Sequence, residues 1–376
     1  MLQIAVFALI LATSSFGARA AVSVGTCEEF AAVDRKTETE VTITNADFAC
    51  AEYTRLSVRS AMVLKSSVGA ITFSNLALKV YGSLTVEPDI EFTGITDVDK
   101  NGGALKLELD AVGIFQGTVT FTDVSIMPAD LGTDDAKFRK GGCIHSKGDL
   151  TFEKDVIISG CRNNQVDRLD ESSGDGGAIY HHVKGKMYFM GTLTMTENET
   201  TVYFDRGNGE GGGIYNRGDI VVDGEATFTS NKGNEGGGIF QERWATFEFN
   251  SFATFSDNWA WNQQGGAIHN FGGDVTFNEG SLFDDNVASS TGDGGSGGAI
   301  YNKDGGVVTL MGQTSFTNNW AYMGGAIYNA AGDVFFSRDS EYQMPILDYP
   351  ADTVFEGNVA EFCPDVYFDT RDNCGP

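Results

Sequence analysis

The chain has 376 residues, of which 41% are hydrophobic, 48 are glycine and only six are proline, which marks a turn-rich but folded protein. A formal charge of −27 argues against nucleic acid, anionic membrane or an unneutralised polyuronate as partner. The same charge keeps an extracellular protein soluble.

From the N-terminus, residues 1–20 hold an apolar run, Ile4 to Leu11, and end in Ala18-Arg19-Ala20, the small-x-small pattern of a signal-peptidase site, with no basic residue ahead of Arg19. A signal peptide over 1–20 and a mature protein from Ala21, secreted or held at the cell surface, is the expectation. No later stretch has the roughly 18 consecutive apolar residues of a membrane helix, and the end, DTRDNCGP, lacks a lipid-anchor tail, so no membrane insertion is expected. Six cysteines suit an oxidising compartment and allow about fifteen connectivities, of which sequence proximity suggests Cys27 with Cys50, Cys143 with Cys161, and Cys363 with Cys374.

CEEFAAVDRK, Cys27 to Lys36, reads as a short capping helix. Short apolar, β-branched stretches follow at Val41–Ile43, Ser57–Val63, Ala70–Phe73, Leu76–Val80, Ser83–Val86 and Ile90–Phe92, parted by Gly, Asp, Asn or Pro. Residues 21–100 are therefore read as an N-terminal cap and irregular first coils. Asn198-Glu199-Thr200 is a glycosylation sequon, with an unmodified polar turn as the alternative.

Beyond Asn101 a Gly-Gly pair, a small residue and Ile or Leu recur, first as GGAL at Gly102 and GGCI at Gly141, then as GGAIY, GGGIY, GGGIF, GGAIH, GGAIY and GGAIY from Gly176, Gly211, Gly236, Gly265, Gly297 and Gly324. First glycines lie 25 to 39 residues apart, too irregular for helical repeats but ordinary for strand coils with elastic loops. Phe228, Phe255, Phe283, Phe316 and Phe355 fall three positions before Asn231, Asn258, Asn286, Asn319 and Asn358. Within Gly297–Met323 three short strands are predicted: GGAIYN, VVTLM and TSF. The fold class is thus all-β: a right-handed parallel β-helix of about ten coils, spaced about 4.8 Å. It forms one domain over 21–376, with repeat coils over 101–362 and a C-terminal cap over 363–376. The Phe and Ile columns face inward, each Asn amide bonds its counterpart above, and the Gly pair makes a tight corner needing positive φ or close backbone approach.

The paired GGAI and FxxN motifs resemble the repeats of the chlamydial polymorphic outer membrane proteins, a class within the pectin-lyase-like β-helix architecture, over about Asn101 to Asp369. Those proteins look like autotransporters whose passenger precedes a membrane β-barrel. This sequence ends at Asn373-Cys374-Gly375-Pro376, so the resemblance implies the adhesin-like passenger without its barrel.

Two columns are candidate sites. The fifth motif position reads His145, Tyr180, Tyr215, Phe240, His269, Tyr301 and Tyr328; if Ile points inward, alternation turns these rings outward as a ladder for sugars or a partner's apolar surface. The alternative is that the rings stack on one another beneath a cover. Just before the Gly pairs, Asp175, Glu210 and Glu235 recur, with Gln264 next. Like charges about 5 Å apart are solvated, share protons, hold calcium or, in the least favoured reading, form a retaining-glycosidase pair. Polygalacturonase-like signatures are reduced to Asp284-Asp285; Arg217 and Arg243 are near the acidic column in sequence; His181-His182 is too few ligands for zinc. No cofactor beyond calcium is expected.

The sequence therefore predicts a secreted binding or adhesin-like protein whose partner is a polysaccharide or cell-surface component. A polysaccharide-active enzyme (lyase, hydrolase or epimerase) using Asp175, Glu210 and Glu235 is the first alternative, and a structural wall or coat protein the second.

Overall fold

A computed structural model describes residues 20–33, 39–97, 101–126, 139–165, 174–202, 209–289, 294–336, 353–368 and 373–374. The expected leader lies outside them except for Ala20, which starts the strand Ala20–Val24.

Strands pair in parallel from rung to rung, as Ile239–Gln241 does with Ile268–Phe271. Among the described strands the one antiparallel pair is Val366–Phe368 with Asn373–Cys374, at the C-terminal end. One turn comprises Ile239–Gln241, Thr246–Phe249, Ala253–Ser256 and Trp259–Gln264. This is a parallel β-helix, and a right hand is the rule for such crossovers. Its longest single ladder has 12 strands, which at about 4.8 Å each make a rod about 50 Å long, in keeping with the roughly ten coils expected. Seven of the coils carry a fourth strand among the described residues, one more than predicted per coil. The extra strand follows the FxxN asparagine, and its composition varies from ETTV at Glu199–Val202 to KGNE at Lys232–Glu235, which has no β-branched or aromatic residue; pairing above and below imposes the conformation there.

The motif strands and the Phe strands belong to one 21-stranded sheet. The long strand Ile71–Val80 joins them, pairing through Ile71–Ser74 with Ile90–Thr93 and through Leu78–Val80 with Leu105–Leu107. Inward residues form one hydrophobic cluster from Val24 to Val366. Phe228, Phe255, Phe283, Phe316 and Phe355 stack at 4.7, 5.0, 4.8 and 5.0 Å between successive ring centroids, with planes within 9° of parallel. Each fully buried ring contributes about 1.5–3 kcal/mol. The Ile column is buried throughout.

At the N-terminal end the helix Cys27–Ala32 opens with a capping box, Thr26 accepting from the Glu29 amide while the Glu29 side chain accepts from the Thr26 amide. Its Phe30 sits on the first rungs, 5.8 Å from Phe48 and 6.4 Å from Phe73, and Cys27–Cys50 staples it there. Cys143–Cys161 is the second bridge, as expected. Cys363 is also disulfide-bonded, while the side chain of its expected partner, Cys374, lies outside the described part.

The Gly pair has two separate reasons. Gly236 has φ +61°, and a Cβ there would lie 2.1 Å from the Ile239 carbonyl oxygen. At Gly237 a Cβ would lie 2.3 Å from the carbonyl oxygen of Gly266, its counterpart one rung on. The first glycine turns the corner; the second lets corners stack.

The Asn column closes its hydrogen bonds without water. Asn258 Oδ1 accepts from the backbone N–H and Nδ2 of Asn231, while its Nδ2 donates to Asn286 Oδ1 and to the Phe228 carbonyl. The same pattern runs from Asn198 to Asn358. Asn258→Ala leaves two donors and the Phe228 carbonyl buried and unmatched, so urea unfolding is expected to show a loss on the order of 3 kcal/mol or more. A change within the noise of the measurement would refute the ladder as a stabilising element.

Candidate functional site

The fifth-position rings point away from the Ile core, as alternation requires, but they are not exposed. His145, Tyr180, Tyr215, Phe240, His269, Tyr301 and Tyr328 are all buried, which corrects the open-ladder reading. They stack on one another: His145, Tyr180, Tyr215 and Phe240 at 5.2, 5.2 and 5.1 Å, and Tyr301 with Tyr328 at 5.1 Å. The column continues to Tyr367, 4.9 Å beyond Tyr328.

Flanking residues seal the edges. Lys140 Nζ lies 3.0 Å from Tyr180 Oη and Arg217 Nη1 lies 3.4 Å from it. Tyr215 donates its hydroxyl proton to Glu242. Phe271 packs against the cluster, with Arg243 and Lys303 at 4.4 and 4.8 Å from its centroid. Arg243 also pairs with Asp304 at 3.1 Å. Both arginines near the acidic column in sequence are thus committed to other partners.

The acidic column is real. Glu210 bridges Glu235 in parallel register, and the Gly176 and Gly211 amides donate to the Glu210 and Glu235 carbonyls. The rung spacing, about 4.8 Å, sets the carboxylates too close and too deep for all to be ionised. At one end Asp175, 3% exposed, pairs with Lys140 at 3.4 Å. At the other, His269 Nδ1 lies 2.9 Å from Glu235. Burial favours raising the Glu235 pKa, but His269 and the Lys303 ammonium outweigh it and hold the carboxyl below its ordinary value. Glu210, between them, is pushed up to about 9 by burial and by Asp175, Glu235 and Glu242, so it stays protonated at neutral pH.

Among the described residues no three His, Cys, Asp or Glu side chains converge as a metal site, so the calcium candidates Asp175, Glu210 and Glu235 are aligned in file but do not form a cage. His181 ends the strand Ile179–His181, buried with Nε2 2.9 Å from the Gly185 carbonyl of the following turn, and burial lowers its pKa to about 4, so it is neutral at neutral pH. Asn198 is also corrected: its carboxamide is fully buried, accepting from the Cys161 amide and donating to Ile158 and Asn231. In the folded chain it has no room for a glycan.

Two functions of the repeat escaped the sequence reading. At the sixth motif position Asn270 Nδ2 donates to Asn302 Oδ1 at 2.8 Å and Asn302 Nδ2 to Asn329 Oδ1 at 2.9 Å, a second amide file, which the recurring Asn after GGAIY or GGAIH could have revealed. On the fourth strand the residue after the FxxN asparagine faces outward. Lys232, Trp259, Val287, Trp320 and Val359 stand in register on successive rungs. Trp259 is 40% exposed, Trp320 42% and Val359 53%. The Trp259 indole N–H donates to Ser289 Oγ at 2.7 Å, Trp261 stacks beside it at 5.8 Å, and Lys232 Nζ lies 5.9 Å from its ring. This stripe is an exposed file of apolar and aromatic residues held in register; Trp244, 88% exposed, stands apart from it at the turn before Thr246–Phe249.

The pH dependence of stability follows from the buried groups. Glu210 has its pKa raised from 4.5 to about 9, so its contribution is fully present below 4.5 and is lost as pH rises to about 9. His181 is depressed from 6.5 to about 4, so its contribution is present above 6.5 and lost as pH falls through about 4. Glu210→Gln is expected to match the wild type in mild acid and gain on it by up to about tenfold in folding equilibrium per pH unit at higher pH. Parallel unfolding curves of the two proteins at every pH would contradict the assignment.

A model of the Chlamydia polymorphic membrane protein repeat matches residues 280–303 and 313–330. These segments cover two Phe strands and the two motif strands that follow them. No curated protein and no solved structure matches the chain. The chain therefore carries repeats of the Chlamydia polymorphic membrane protein type, folded as rungs of a parallel β-helix.

Proposed function

We propose that this is a binding protein of the cell surface or extracellular space, which recognises carbohydrate through the exposed stripe of the fourth strand. The carrying observation is the pair Trp259 and Trp320, held outward in register on a face that folding alone would fill with polar residues. Large rings left open on a rigid scaffold are suited to stacking on the apolar faces of sugars. The match to a repeat named for a membrane protein, the two described disulfides and the leader expected over 1–20 support the location.

Binding of the wild type to a glycan array is expected to fall at least about tenfold, or 1.4 kcal/mol, in Trp259→Ala and in Trp320→Ala, with circular dichroism unchanged. Tyr301→Ala, in the sealed column, is expected to lower the melting temperature instead. Glycan binding that survives removal of both tryptophans would sink this site.

One observation favours the enzymatic reading: a protonated Glu210 beside an ionised Glu235, a split that general acid and base pairs share. Release of reducing ends or unsaturated uronates from a polysaccharide panel, lost in Glu210→Gln, would support it. An inactive wild type would end it.

A further inference from the structure

We infer that the stripe is a two-point platform for an extended, uncharged, β-linked glycan lying along the solenoid axis, a deepening that rests on the carbohydrate reading above. Trp259 and Trp320 are two rungs apart with Val287 between them. Stacked rings on neighbouring rungs of this solenoid are separated by 4.7 to 5.3 Å, so the two indoles are offset by about 10 Å along the axis. That is the span of two sugar units in an extended chain. In a β-1,4-linked polymer every second sugar turns the same face the same way, so a straight file with an aromatic side chain at alternate rungs meets equivalent faces. An α-linked chain coils and would leave one indole uncovered.

The surroundings select charge. The exposed Asp257, Asp285 and Asn318 occupy the left-handed corner immediately before the stripe, with φ of 55°, 52° and 56°. The oxygens of all three are placed to accept hydrogen bonds from sugar hydroxyls, and the two aspartates repel carboxylates or sulfates. The ammonium of Lys232 lies over the Trp259 ring at the stripe's near end. With a net charge of −27 behind it, the platform disfavours acidic polymers. The Trp259–Ser289 hydrogen bond holds one indole in place before any ligand arrives, which lowers the ordering cost of binding.

The test is calorimetric titration of the full chain with cellobiose, cellohexaose, chitohexaose, maltohexaose and hexagalacturonate. One or both β-linked hexamers are expected to bind at least about tenfold, or 1.4 kcal/mol, more tightly than cellobiose, maltohexaose and hexagalacturonate. Either Trp259→Ala or Trp320→Ala is expected to bring hexamer affinity down to the disaccharide level, and the double variant to add little. If the tryptophan variants lose glycan binding but the wild type holds α-linked or acidic hexamers equally well, or disaccharides as tightly as hexamers, this inference falls and the carbohydrate site stands. If no sugar in the panel or on the array binds, both fall.

Discussion

A fixed translation from rung to rung governs this molecule. Parallel pairing in register sets every side chain about one strand spacing from its counterpart in the next coil, so like must sit on like. Phenyl rings satisfy that constraint by stacking. A primary amide satisfies it by being donor and acceptor at once, which is why Asn231, Asn258, Asn286 and Asn319 form an unbroken file whose protons and lone pairs are all matched. A carboxylate offers only lone pairs, so a buried file of them is frustrated by construction. The structure relieves Asp175 with Lys140 and Glu235 with His269, and neutralises Glu210 by keeping its proton. One constraint accounts for the quiet column and the strained one.

The same position changes chemistry along the rod. Ile95 and Val124 fill it near the N-terminus, Cys161 spends it on a disulfide, and from Asn198 onward the amide file takes over. Each solution closes a buried corner between the Phe strand and the fourth strand without a free polar group. The sequon at Asn198 belongs to this succession: Cys161 donates its amide to that side chain, so the first rung of the amide file is anchored on the disulfide. A motif that reads as a surface signal is here an interior joint.

Columns whose chemistry repeats were legible in the sequence. Phe three residues before Asn, Ile at the fourth motif place and paired glycines each state an interior requirement, and the structure places all three as expected. The ring column was only half legible, because alternation separates inward from outward but says nothing about what lies over the outward side. Tyr180 and Tyr215 are covered by residues beyond the motif, Arg217 and Glu242, whose identities do not repeat. The fourth strand was hidden for the opposite reason. It has almost no β-propensity of its own in KGNE, and its outward residue changes from Lys232 to Trp259 to Val287, so no periodic signal marks it.

That irregularity is itself informative. An inward position repeats because packing demands it, and an outward one drifts unless something else selects it. The stripe's earlier rungs show the ordinary outcome: Arg162 pairs with Glu199 at 3.7 Å, and Lys232 follows, all charged and solvated. From Trp259 onward the same file turns apolar while remaining open to water, at a cost in solubility that packing does not repay, since the core beneath it is already closed by Ala260 and Ala288. The acidic seam breaks a local rule too, but its partners lie within the protein, and its strain is resolved by a salt bridge, a histidine contact and a retained proton. Among the described residues Trp259 has Ser289, Trp261 and Lys232 beside it, yet it and Trp320 each keep about two-fifths of their surface open, which is the area the proposed ligand would cover.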